Sequence, residues 1–206
     1  MRKFLVLPLA GVLLLAAAAP VAAGPNTSNT SGSGQTIQGE WYDESSYGYL
    51  VLFEESGGEY GELFEESGEW VLCTSGPNPE DELYGFVGTR VWGWASDIDM
   101  SMSSKLSSAT ASAEFELGIE SVDECNGTYE TTFDSATVAV DVVGSGSLVM
   151  FRNSGSFKVP GDFNSHSRYR GKERVATGQV DLGALGSREF GFAIMAEYSW
   201  SEHANG

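Results

Sequence analysis

The sequence predicts an all-β protein, an antiparallel β-sandwich or barrel of about ten strands. Three observations carry that expectation. From Thr36 onward, apolar and polar residues alternate with a period of two. Clusters of Gly, Ser, Asn and Pro separate the alternating runs. No segment shows the apolar spacing of a helix. The 206 residues are 41% hydrophobic and 12% aromatic, which is too apolar for a disordered chain.

The chain opens on a leader. Arg2 and Lys3 precede an apolar run from Phe4 to Ala19, and Val21-Ala22-Ala23 supplies small residues for cleavage. That run is shorter than the roughly 20 residues that span a bilayer. Residues 1–23 are therefore expected to be a signal peptide, and no stable membrane insertion should remain after cleavage. The expected location is secreted, extracellular. Residues 24–35 are low in complexity and read as a flexible linker. One β domain should occupy 36–200, followed by a polar tail, 201–206. Export implies an oxidising compartment, so Cys73 and Cys125 are expected to form a disulfide. Asn26, Asn29 and Asn126 match the glycosylation acceptor pattern.

Within the domain, Tyr49, Val51 and Phe53 alternate with Leu50 and Leu52. Tyr84, Phe86, Arg90, Trp92 and Trp94 share one face of a strand, opposite Val87, Thr89 and Val91. Ile98, Met100 and Met102 alternate with Asp97, Asp99 and Ser101. Phe115 and Leu117 alternate with Glu114 and Glu116, and Val138, Val140 and Val142 with Ala139 and Asp141. Phe190, Phe192, Ile194, Ala196, Tyr198 and Trp200 form one long apolar face. Leu52-Phe53-Glu54-Glu55-Ser56-Gly57 recurs as residues 63–68, as two meander strands each ending in a Ser-Gly turn would do.

Charge is unevenly distributed. The formal net charge is −18, from 29 acidic and 11 basic residues, which repels phosphate and disfavours nucleic acid as a partner. Residues 24–89 hold thirteen acidic and no basic side chains. In contrast, His166, Arg168, Arg170, Lys172 and Arg174 fall on alternate positions and would point one way from a strand. Such a stripe could grip an anionic glycan, a cell-wall polymer or an acidic protein. The competing reading is a solvated face neutralised by the acidic first half.

Other constellations are less specific. Trp92 and Trp94 could stack on sugar rings, or simply be core. Glu54-Glu55 and Glu65-Glu66 could suggest two-carboxylate glycoside hydrolysis, although neighbours on a strand face opposite ways. Asp97 with Asp99, and Pro79-Glu80-Asp81-Glu82, could hold calcium weakly, but no Asp-x-Asp-x-Asp-Gly loop exists. No nucleophile elbow, zinc-binding helix motif or phosphate loop is present. The expectation is no catalytic residues, no metal and no cofactor.

Ile37-Gln38-Gly39-Glu40-Trp41-Tyr42 resembles the Gly-x-Trp entry of lipocalin and avidin barrels. That similarity implies a Trp closing one end of a barrel that holds a small ligand. The stretches 111–115, 138–142, 159–161 and 174–178 loosely resemble a group of exported bacterial β-rich proteins, to which no activity attaches. Together these features point to an exported, non-enzymatic binding or surface-interaction module. The alternatives are a small-ligand barrel of calycin type and an exported carboxylate-dependent glycoside hydrolase.

Overall fold

The computed structural model describes residues 28–74, 82–159 and 163–205. The leader, Asn26 and residues 79–81 of the acidic run lie outside them. Eleven strands form one antiparallel sheet: β1 (Ser28–Tyr42), β2 (Ser46–Glu55), β3 (Gly58–Thr74), β4 (Leu83–Ala95), β5 (Ile98–Met102), β6 (Ser108–Asp123), β7 (Thr128–Gly144), β8 (Val149–Val159), β9 (Phe163–Asp181), β10 (Ser187–Glu189) and β11 (Phe192–Asn205). A short 3-10 turn, Gly183–Leu185, joins β9 to β10.

Eight strands close a ring in the order β1-β2-β3-β4-β6-β7-β9-β11, with β11 returning to β1. Closure leaves fewer open edges than a flat sheet would. The ring is uneven, because several strands outrun their partners. At one end β1, β11, β9 and β8 continue as a lower wing: residues 28–33 of β1 pair only with β11, and β8 pairs only with β9. At the other end β3, β4, β6 and β7 continue as an upper wing. Its tip carries the expected Cys73–Cys125 disulfide, with Cα atoms 5.0 Å apart.

Alternation is as the sequence predicts, but which face points inward is not always the more aromatic one. On β11 the core side is Ala193 and Met195, whereas Phe192, Ile194, Ala196, Tyr198 and Trp200 lie on the outer face. On β4 the core side is Val91, Gly93 and Ala95, and Trp92 and Trp94 face outward. Leu50 and Leu52 enter the core from β2, together with Ile37, Leu63, Phe115, Val140, Val142 and a run of alanines on β6. On these two strands the space inside the ring takes the face with the smaller side chains, because Phe115 on β6 and Trp41 at the upper end already fill much of it. Interior and ends are filled with side chains: Trp41 seals the upper end, and Leu106, at φ 49, plugs the lower one.

Several aromatics, Trp41 inside the ring and the others on its outer face, find glycine across the strand. Trp41 lies on Gly48, Trp92 on Gly118, Tyr198 on Gly34, Trp200 on Gly32 and Phe151 on Gly171, each pair in direct register. A flat ring covers the bare backbone of its neighbour, which excludes water from the ladder hydrogen bonds. Five glycines serve this cross-strand packing.

Three details differ from the sequence reading. Residues 28–35, expected within a flexible linker, are strand, because β1 pairs through its backbone and needs no apolar side chains to do so. The same holds for residues 201–205 of the polar tail, which complete β11. Ser56-Gly57 is a hairpin turn, but Ser67-Gly68 is not: β3 runs straight through it to Thr74, with Gly68 beneath Phe86.

Candidate functional site

The two Glu-Glu pairs divide as strand geometry requires, and all four carboxylates have different partners. Glu54 faces in and accepts from Gln35 Nε2 at 2.9 Å. Glu55 faces out and accepts from Trp200 Nε1 at 2.9 Å. Glu65 is buried, 5% exposed, and is gripped by both Arg188 Nε (3.0 Å) and Nη2 (2.8 Å), with Trp41 Nε1 at 2.9 Å. Glu66 faces out and pairs with Arg90 at 2.7 Å, whose other arm reaches Glu124 at 3.0 Å. Neither pair forms a dyad.

The cationic stripe is real and lies on the inner face of the lower wing. Its five residues divide into two groups. Lys172 pairs with Glu197 at 2.9 Å and donates to the Ser104 carbonyl at 2.7 Å. Arg174 donates to the carbonyls of Gly146 (2.8 Å) and Lys105 (3.4 Å). These two cations therefore pin the β5–β6 loop that carries the Leu106 plug. They are structural.

Arg170, Arg168 and His166 lie further out, where the wing leaves the ring. The register places Arg152, Arg170, Ser199 and Ser33 in one row across four strands, and Ser154, Arg168, Ser201 and Ser31 in the next. His166 stands opposite His203 and Ser156 in a third. Arg170 donates to Ser199 Oγ at 3.1 Å, and Arg168 to His166 Nε2 at 3.3 Å. Among the described residues, neither these two arginines nor Arg152 meets a carboxylate. The expected neutralisation by the acidic first half does not occur: Glu65 and Glu66 are taken by Arg188 and Arg90.

Here the sheet forms an open trough of about 720 Å³, lined by Arg152, Arg168 and Arg170 and by five serines. Guanidinium forks and hydroxyls are the groups that bind carboxylates, sulfates and sugar hydroxyls. Arg152 and the serines were not legible as site residues. Residues 149–159 alternate poorly, and Ser31 and Ser33 sit in the stretch that reads as linker. A second cavity of about 350 Å³ adjoins it, lined by Gln35, Glu54, Glu55 and Glu197.

The reverse side of this wing carries a stacked ladder of rings, Phe53–Tyr198 (6.1 Å), Tyr198–Tyr169 (5.5 Å) and Tyr169–Phe151 (5.5 Å). Burial, then the Glu55 carboxylate, raises the Tyr198 and Tyr169 phenols above their ordinary values, so both stay neutral. The ladder stiffens the strand that presents Arg168 and Arg170.

Trp92 and Trp94 are not part of the trough. They sit on the outer face of β4, stacked at 5.3 Å, while the stripe lies on the inner face of β9. Asp97 and Asp99 are exposed and not gathered with other acids, and among the described residues no group of three or more His, Cys, Asp or Glu could hold a metal ion. Comparison with protein-family models, curated proteins and solved structures finds no match for this chain.

Proposed function

We propose that this protein is an exported, non-enzymatic binding module that holds an anionic polysaccharide in the arginine and serine trough. One observation carries the proposal: Arg152 and Arg170 are directly opposite each other across β8 and β9, with Arg168 alongside, and none of the three forms an ion pair with a carboxylate among the described residues. Like charges facing across a ladder are destabilising. In a chain with 29 acidic residues, leaving three arginines together without a carboxylate partner fits a ligand that supplies the negative charge. The serine hydroxyls favour a sugar polymer over an acidic protein, because they offer both donors and acceptors to ring hydroxyls. Export is supported by the leader pattern and by the disulfide, which is at home in an oxidising compartment.

The test is titration with heparin and with polygalacturonate at low ionic strength, with dextran as the neutral control. Binding that weakens steeply with salt and is lost in Arg152→Gln/Arg168→Gln/Arg170→Gln is expected. Absence of polyanion binding at low salt, or binding unchanged in the triple variant, would overturn it.

The small-ligand barrel has less support, because the ring is filled by Ile37, Leu50, Leu52, Leu63, Phe115 and their neighbours. The hydrolase reading has one observation in its favour. Glu54 and Glu197 flank Gln35 on the inner face, two strand spacings or about 10 Å apart at the backbone. Both are engaged, by Gln35 and Lys172 respectively. Cleavage of a polysaccharide panel that disappears in Glu197→Gln would establish it in place of simple binding.

A further inference from the structure

The outer face of β2, β3, β4, β6 and β7 presents aromatics that the trough does not use. Tyr49, Phe64, Trp92, Gly118 and Phe133 form one row, each directly opposite the next. In the adjoining row Trp94 stands between Glu62 on β3 and Glu116 on β6. Trp94 is 51% exposed and Phe133 is 76% exposed.

Most of the indoles have a structural task. Trp41, Trp92 and Trp200 each cover a glycine, and Trp70 meets Phe86 edge-on. Trp94 covers no glycine. It stacks on Trp92, which fixes its orientation, and faces a carboxylate on either side. Glu62 accepts from the hydroxyls of Tyr49 and Tyr60 at 2.5 and 2.9 Å and is thereby held in place. Glu116 makes no hydrogen bond or ion pair among the described residues.

The surroundings select the occupant. Glu66 and Glu120 extend the negative field, and the basic residue on this face, Arg90, is already bound by Glu66 and Glu124. A polyanion is therefore repelled here, and charge complementarity calls for a cation. An extended basic peptide would look for free backbone groups at a sheet edge. Around Trp94 the strands are paired on both sides, so recognition falls to side chains alone. A pyranose ring suits that surface: its C–H face lies on the indole, its hydroxyls donate to carboxylates, and an ammonium group gains both ion pairing and cation–π attraction.

We infer that Trp94, Glu62 and Glu116 form a stacking site for an amino-sugar residue of a cationic polysaccharide. The inference stands apart from the trough, since it concerns another face and the opposite charge.

Intrinsic tryptophan fluorescence, titrated with a fully deacetylated glucosamine hexamer, tests it. Saturable quenching is expected, weakened about tenfold in Trp94→Ala and several-fold in Glu116→Gln. The Arg168→Gln/Arg170→Gln variant should bind the hexamer as the parent does, whereas it loses heparin if the trough proposal holds. Trp94→Phe, which keeps an aromatic ring, checks that any loss in the alanine variant is not misfolding, and should bind with intermediate strength. Three outcomes would overturn the inference: no response to the hexamer, a response indifferent to Trp94 and Glu116, or equal response to tetralysine. Equal binding of cellohexaose would overturn the selection for an ammonium group.

Discussion

Replacing Arg188 by methionine should be among the most damaging single changes to a charged residue of this protein. The substitution removes both guanidinium contacts to Glu65 and leaves a buried carboxylate with one indole N–H, from Trp41. Breaking one side of a buried pair costs about 3–5 kcal/mol, because the remaining charge is uncompensated. Arg188 keeps 27% of its side-chain accessibility and Glu65 keeps 7%, so water can reach part of the space. The loss should therefore fall at the lower end, about 3 kcal/mol, or about 6–12 °C in Tm for a domain of this size. The partner experiment is Glu65→Leu/Arg188→Met, which removes both charges and should recover most of the loss. Urea unfolding with the disulfide intact measures both, and near-UV circular dichroism reports the packing of Trp41. A cost below about 1 kcal/mol for the single variant, or a double variant no better than the single, would refute the view that this clamp is a committed buried ion pair.

Other predictions follow from the same contacts. Cys73→Ser/Cys125→Ser opens a bridge of sequence separation 52 and should cost about 4 kcal/mol, read by urea unfolding against the oxidised parent. Gly48→Ala places a Cβ 2.4 Å from the Trp41 ring and should cost about 1–3 kcal/mol, whereas Gly57→Ala, with nothing within 4 Å, should be neutral by thermal melting. The Phe86 N–H, and then Arg90, hold the Glu124 carboxyl below its ordinary value. Its stabilising effect is thus present above the ordinary carboxylate range and is lost as pH falls through the lowered value. The stability gap between the parent and Glu124→Gln should therefore narrow as pH is taken from about 6 to about 2, and a gap that widens would reverse the sign.

Parts of the candidate site were legible in the sequence for a simple reason. Alternate cations at 166–174 must share a face if the segment is a strand, whatever the rest of the chain does. The carboxylate pairs likewise had to split. What the sequence could not show was which neighbours those faces would meet. Arg152 joins Arg170 only because β8 folds back on β9, and Ser31 and Ser33 join them only because β1 and β11 run past the ring. Lys172 and Arg174 look like Arg168 and Arg170 in the sequence, yet the pinned β5–β6 loop gives them a different role.

Taken alone, the order of residues fixes the period of two and carries the expectation that Cys73 and Cys125 meet. Those are local or compositional properties. The inward face of each strand is decided by closure of the ring. Where both faces of a strand are apolar, as on β4 and β11, local pattern cannot choose between them. The narrow interior can: it admits Ala95, Ala193 and Met195 and turns Trp94 and Trp200 outward, which is how aromatics that look like core become surface.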